Sequence, residues 1–291
     1  MKRISLPALV IHAGAGKFLA SKTKEARARE ALRRIVDEAY ARLARRPALE
    51  VVIWAVAQME DDPQFNAGTG AKLQSDGIAR LTATLMDGEQ HRFAGVVNIE
   101  EVKNPVLVAA ELLKEKDRVL AGDGARAFAR SRGFPKYNPV TEEAWSAWKR
   151  KLERRAQESA ETFGTVGAVA VDRRGRTAAA ASTGGKGMEY PGRVADTASI
   201  AGTYASKSAA VVASGVGEEI VELGLAHRIV TRVDDGRSLK DAFAETFKEV
   251  VRHGGRMGAI GVDDRGNVRV RTTTECILHA WRTPKERAGY P

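Results

Sequence analysis

Strands in this sequence arrive in hairpin-like sets and helices arrive in pairs, and that ordering constrains the fold more than any other feature. Residues 165–172 (TVGAVAVD) and 177–183 (TAAAAST) are short apolar runs on either side of a turn at Arg174-Gly175, which reads as a hairpin. Residues 8–12 (ALVIH) form a first strand closed by Gly14 and Gly16. Further strands are expected at 78–86, 93–97 and 208–214, and in the C-terminal MGAIGVDDRGNVRVRTTTECILHAW around a turn at Asp264-Arg265-Gly266-Asn267. Between them lie helical stretches. Leu32, Ile35, Val36, Ala39 and Leu43 recur at three- and four-residue spacing, leaving the arginines outside. A second helix over 48–59 stops before Asp61-Asp62-Pro63, because the residue before proline is pushed out of helical geometry. Others are expected over 105–116, 122–131, 217–231 and about 239–252. This is not the strict alternation of βαβ units. It favours antiparallel sheets covered by helices over a doubly wound parallel sheet.

Composition narrows the class. Of 291 residues, 43% are hydrophobic and 29% charged, which fits a globular chain rather than a disordered one. No run of about 18 apolar residues marks a membrane helix. The opening MKRISLPALVIHAG reads as a first strand rather than a signal peptide. The lone cysteine, Cys276, rules out an intrachain disulfide and favours a reducing compartment, so a cytoplasmic protein is expected. The net charge of +10 raises the question of nucleic acid. Much of the excess sits in 22–46 and 149–155, which read as solvated helix faces, and no basic run is interleaved with aromatics as a stacking platform. A basic nucleic-acid-binding protein therefore stays the outside alternative. The Gly-rich segments do not bind nucleotides either: before Gly16-Lys17 the phosphate loop's first glycine is Ile11, and Phe18 replaces its Ser or Thr. Gly122-Asp123-Gly124 lacks a third glycine, Ala127 standing there, and no strand is expected before it.

The chemistry gathers after a polar stretch. Residues 133–139 (GFPKYNP) are turn-forming, and 141–161 are charged with Trp145, Trp148 and Leu152 on one side, an exposed helix or mobile linker. It ends at Phe163-Gly164-Thr165, where a buried strand begins. A threonine hydroxyl is a weak nucleophile without a base. Its own α-amino group serves as one if the residue begins a chain, and that amine has an ordinary pKa of about 7.7–8.0. Taken alone, Gly-Thr-Val-Gly is an ordinary strand start.

The wider set of motifs points further. FGTVGAVAVD (163–172), STGG (182–185), PGRVADT (191–197) and SGVGE (214–218), preceded by VIHAGAG (10–16), FNAGTGA (65–71), LMDG (85–88) and KNPVLVA (103–109), resemble the plant-type asparaginase and isoaspartyl-peptidase family of N-terminal-nucleophile hydrolases. The resemblance spans nearly the whole chain. It implies an α+β fold, a four-layer αββα sandwich with two mainly antiparallel sheets between helix layers. It also implies one domain over 1–291 that cuts itself between Gly164 and Thr165. The products would be an α chain of 1–164, with 133–164 a flexible linker, and a β chain of 165–291. The implied activity is hydrolysis of the side-chain amide of L-asparagine or of β-aspartyl peptides to aspartate, without a catalytic cofactor, by a homodimer of αβ units.

Site roles follow from the same resemblance. Thr165 is the nucleophile and Thr183 the second threonine beside it. Arg193 takes the substrate α-carboxylate, where a planar guanidinium binds bidentately, and Asp196 takes the α-ammonium. Ser214 and Gly215 stand where the family's oxyanion donors are a Thr-Gly pair. Asn66 matches an asparagine near the nucleophile. Residues 59–66 (MEDDPQFN) resemble a loop that wraps a structural sodium ion through backbone carbonyls, here assigned to Glu60, Asp61 and Phe65. Glu60, Asp61 and Asp62 raise a divalent metal as the other reading, without a histidine or spaced carboxylate set to support it. The chain departs from the family at Thr82, usually aspartate, at Ala13, usually glycine, and in the Gly-rich run at Ala201-Gly202. Alternatives within the fold are an unprocessed inactive homologue and a glycosylasparaginase or threonine endopeptidase, although the nucleophile of those last two tends to follow Asp.

Overall fold

The two long helices that follow Ser21 and Ser238 each start from a serine cap and bury one stripe. A computed structural model describes residues 6–17, 21–153 and 164–289. In chain order β1 (Ala8–Gly16) leads to α1 (Lys22–Leu43), α2 (Ala48–Asp61), β2 (Leu81–Asp87), β3 (Arg92–Ile99), α3 (Pro105–Leu112), β4 (Val119–Ala121), α4 (Gly122–Ser131) and α5 (Glu142–Glu153). The second half runs β5 (Thr165–Val171), β6 (Thr177–Thr183), a single 3-10 turn at Asp196–Ala198, β7 (Thr203–Ala205) and β8 (Ala209–Gly215). It continues through α6 (Gly217–Leu223), α7 (Leu225–Asp234), α8 (Leu239–Arg252), β9 (Met257–Asp263), β10 (Val268–Thr272), β11 (Cys276–Arg282) and β12 (Arg287–Gly289). The Ser21 side chain caps α1 by accepting from Lys24 N, and Ser238 caps α8 in the same way from Asp241 N. Leu32, Ile35, Val36, Ala39 and Leu43 of α1 are all buried, as their spacing requires.

Two sheets organise the molecule. One has eight strands in the order β12-β11-β1-β5-β6-β2-β3-β4, the other four in the order β10-β9-β8-β7. Every pairing is antiparallel except β3 with β4, so the expected antiparallel character holds. The hairpin β5–β6 lies at the centre of the larger sheet and is buried on both faces. Alternate residues explain this. Val166, Ala168 and Ala170 join the core formed with α1, α2 and α3. Val169 and Val171 join a second core with Val211, Ile260, Phe243 and Phe247 of the smaller sheet and α8. Small side chains on both faces let the second sheet and the helices come close from either side.

Some boundaries differ from the sequence reading, each for a local reason. The helix expected over 217–231 is two, because Gly224 adopts a left-handed φ of +60° and ends α6 there. A three-residue strand, β4, does precede Gly122, too short to show any period. Residues 142–153, inside the stretch read as an exposed helix or linker, form α5. Its Trp145 and Trp148 rings stack 4.9 Å apart, and Trp148 Nε1 donates to Gln74 O at 2.9 Å. The remainder of that stretch, 154–161, lies outside the described residues, as do Thr162 and Phe163.

Candidate active site

Strand register gathers three threonines in one row. Thr165 pairs with Thr183 across β5 and β6, and Thr82 pairs with Thr183 across β6 and β2. Residues in direct register share a face, so the three hydroxyl side chains line the face that carries Val169 and Val171. All three are buried. Thr82 Oγ1 accepts from Asn98 N at 3.2 Å, a task an aspartate oxygen would also perform.

The peptide bond before Thr165 is gripped at its carbonyl. Gly164 O accepts from Asn66 Nδ2 at 2.8 Å and from Thr183 Oγ1 at 2.9 Å. Neither donor is free to turn. Asn66 Nδ2 also donates to Gly185 O at 2.6 Å while its Oδ1 accepts from Lys72 N at 2.7 Å, and Thr183 Oγ1 accepts from Gly185 N at 3.1 Å. Two donors aimed at one carbonyl oxygen polarise its carbon and stabilise charge that develops there. A single donor of this kind is worth about 3 kcal/mol to a tetrahedral intermediate.

Ser214 and Gly215 close β8, which packs across β5 and β6. Ser214 Oγ accepts from Ala15 N at 3.0 Å, so one lone pair is committed and its O–H remains to donate. Gly215 has φ +143°, and a Cβ there would lie 2.5 Å from Arg256 O, so only glycine fits.

Arg193 and Asp196 meet over Gly217. A Cβ at Gly217 would stand 2.6 Å from Arg193 Nη2 and 2.9 Å from Asp196 Oδ1, which puts both charges against bare backbone. Glu218 holds the guanidinium through Nε at 2.8 Å and Nη2 at 3.1 Å. That leaves Nη1 and the outer hydrogen of Nη2 for a second carboxylate. The Arg193 bond pulls the Glu218 carboxyl down to about 2. Asp196 is 5% exposed, and among the described residues its Oδ2 has no hydrogen-bond partner. Burial pushes its carboxyl up to about 6, with the Arg193 charge opposing the shift.

The 60–66 loop leads into Asn66, which grips Gly164 O. Asp61 pairs with Lys103 Nζ at 2.8 Å and accepts from Asn104 Nδ2 at 3.0 Å, and Asp62 Oδ1 accepts from Gln64 N at 3.0 Å. Burial pushes the Glu60 carboxyl up to about 8. Glu60 O accepts from Thr69 N at 2.8 Å, and Phe65 is buried. Among the described residues no three His, Cys, Asp or Glu side chains gather where they would hold a metal ion.

Register and hydrogen bonds thus bring Asn66, Thr165 and Thr183 together at Gly164 O, and set Arg193 against Asp196. Glu218 was missed by sequence reasoning. It lies in SGVGE, but a bond to Arg193 across 25 residues has no periodic signature.

A family profile described as Asparaginase matches residues 5–290. The chain is 39% identical over 290 residues to an isoaspartyl peptidase/L-asparaginase of Synechocystis sp., which covers 95% of this chain and 88% of the relative. It is 36% identical over 293 residues to a plant-type L-asparaginase of Pyrococcus abyssi, covering 94% of this chain and 95% of the relative. An isoaspartyl peptidase of Escherichia coli is 35% identical over 294 residues, covering 94% of this chain and 92% of the relative.

Proposed function

Since the chain belongs to the asparaginase family, we propose that it is made as a precursor, cuts itself before Thr165, and then hydrolyses the side-chain amide of L-asparagine and of β-aspartyl peptides. The observation that carries this reading is the double grip of Asn66 and Thr183 on Gly164 O, the carbonyl of the bond that must break. Thr165 Oγ attacks the Gly164 carbonyl carbon, the C–N bond breaks as the nitrogen takes a proton, and Gly164 becomes an ester on Thr165. Water hydrolyses that ester, leaving a Gly164 carboxylate and a free Thr165 amine. The amine then serves as base for its own hydroxyl. In turnover the same oxygen attacks the substrate's side-chain carbonyl, releases ammonia or the free amine of the peptide that follows the β-aspartyl residue, and passes the aspartyl group to water.

Substrate recognition needs both signs close together. Arg193, its plane set by Glu218, takes the α-carboxylate on Nη1 and Nη2, and Asp196 takes the α-ammonium. Ser214 O–H and Gly215 N–H receive the substrate oxyanion. Asparagine and β-aspartyl peptides offer the same aspartyl half to these groups, so both are assigned as substrates.

Finer features of the family are proposed on the same footing. The two sheets with α1 to α3 outside one and α7 and α8 outside the other make a four-layer αββα sandwich. Two αβ units form a homodimer. The 60–66 loop holds a structural sodium ion through the carbonyls of Glu60, Asp61 and Phe65. Its carboxyl groups suit a monovalent ion because Asp61 is paired with Lys103, Asp62 accepts from Gln64 within the loop, and burial keeps Glu60 protonated near neutrality.

The test is an intact mass spectrum of the purified chain over time beside Thr165→Ala, followed by an ammonia-release assay with asparagine. The wild type is expected to yield two fragments, one beginning Thr-Val-Gly-Ala, and then to release ammonia. A Thr165→Ala chain that is still cut and still active overturns the assignment. A wild type that never cuts makes the chain an inactive homologue.

A further inference from the structure

The Gly192 peptide, which carries Arg193, is held at both ends by side chains from distant parts of the chain. Gly192 N donates to Gln74 Oε1 at 2.9 Å, and Gly192 O accepts from Asn98 Nδ2 at 2.9 Å. Each side chain is itself fixed. Gln74 is 2% exposed, and the same Oε1 accepts from Arg80 Nη1 at 2.7 Å. Asn98 sits at the left-handed φ of +50°, which few residues other than glycine adopt, and its N donates to Thr82 Oγ1 at 3.2 Å. The segment around Gln74 also runs along 188–192, with Met188 N donating to Leu73 O at 2.8 Å and Ser75 N to Glu189 O at 2.9 Å.

We propose that Gln74 and Asn98 are positioning residues for substrate recognition: they clamp the Gly192 peptide and so fix where Arg193 presents its guanidinium. The proposal rests on Arg193 binding the substrate carboxylate. Glu218 sets the plane of the guanidinium, and the clamp sets the backbone from which it extends. A bidentate contact requires both, since a guanidinium displaced by an ångström loses one of its two bonds.

The two halves of the clamp have opposite polarity, and this separates positioning from mere packing. Gln74 uses its oxygen, so Gln74→Glu keeps the acceptor, whereas Gln74→Met keeps the size and loses it. Asn98 uses its nitrogen, so Asn98→Asp keeps size and tolerance of the left-handed backbone but turns an acceptor on the Gly192 oxygen. The measurement is the calorimetric Kd for L-aspartate, which presents both recognised groups, on protein that has completed self-cleavage, together with KM and kcat for asparagine. Asn98→Asp and Gln74→Met are expected to raise Kd and KM about tenfold with kcat held within about twofold, while Gln74→Glu stays within about threefold of wild type. Self-cleavage is expected to be unchanged in all three. Equal Kd values for wild type and Asn98→Asp overturn the clamp alone. So does Gln74→Glu behaving like Gln74→Met, or a loss of self-cleavage, which would place these residues on the scissile bond. A processed wild type that does not bind aspartate removes the reading of Arg193, and the clamp with it.

Discussion

Asp196 is a carboxyl whose ordinary pKa is raised to about 6 chiefly by burial, and only its charged form attracts an ammonium. Above that value the carboxylate is present and binding is full. Below it the group takes up a proton, and log KM for asparagine is expected to rise with a slope approaching one per pH unit. A KM measured from pH 5 to 8 checks this, and a flat profile across pH 6 removes Asp196 from the binding set. At this scale the sequence was legible where side chains lie within a motif: Thr165, Thr183, Arg193 and Asp196 sit in one stretch, and Asn66 in another. Gln74 and Asn98 were not, because they act on the backbone of Gly192 across 118 and 94 residues and carry no reactive group of their own. Thr82 stood out as a departure, yet its partner, Asn98 N, is visible only once the strands are paired.

The loop after α2 is an element whose backbone, not its side chains, is the proposed ligand. If its carbonyls hold sodium, the ion stabilises the folded state by mass action, about 2.7 kcal/mol at a hundredfold its dissociation constant. For a chain of this length that raises Tm by about 4 °C. Melting curves in sodium chloride and in tetramethylammonium chloride at equal ionic strength are expected to differ by that amount, and identical curves would leave the loop without its ion. Helices and strands were legible wherever the period ran uninterrupted, as in α1 and the β5–β6 hairpin. What escaped was shorter than a period, like β4, or depended on one backbone angle, like the break at Gly224. The single turn at Asp196–Ala198 is similar: Thr84 Oγ1 of β2 holds it by donating to Thr197 O at 2.6 Å, a contact no local pattern announces.

At the scale of the whole molecule, the order of strands decides what a cut does. Across the larger sheet the strands come from after, after, before, after, after, before, before and before residue 165. The two fragments of the proposed cut would be interleaved, since β5 is hydrogen-bonded to β1 and β6 to β2. Size-exclusion chromatography with light scattering on cut protein is expected to show both fragments in one peak at twice the chain mass of 31.4 kDa. Fragments that elute apart would deny the interleaving, and a peak at the single mass would deny the dimer. The order of strands was beyond the sequence, since periodicity marks each strand without naming its neighbours. On this reading the interleaving also makes activity a matter of age. A newly made molecule is inert, an older one works, and nothing in the fold can return the second to the first. A cell that carries this protein would then hold a population sorted by time since synthesis, whose output lags behind its abundance and is lowered only by destroying molecules.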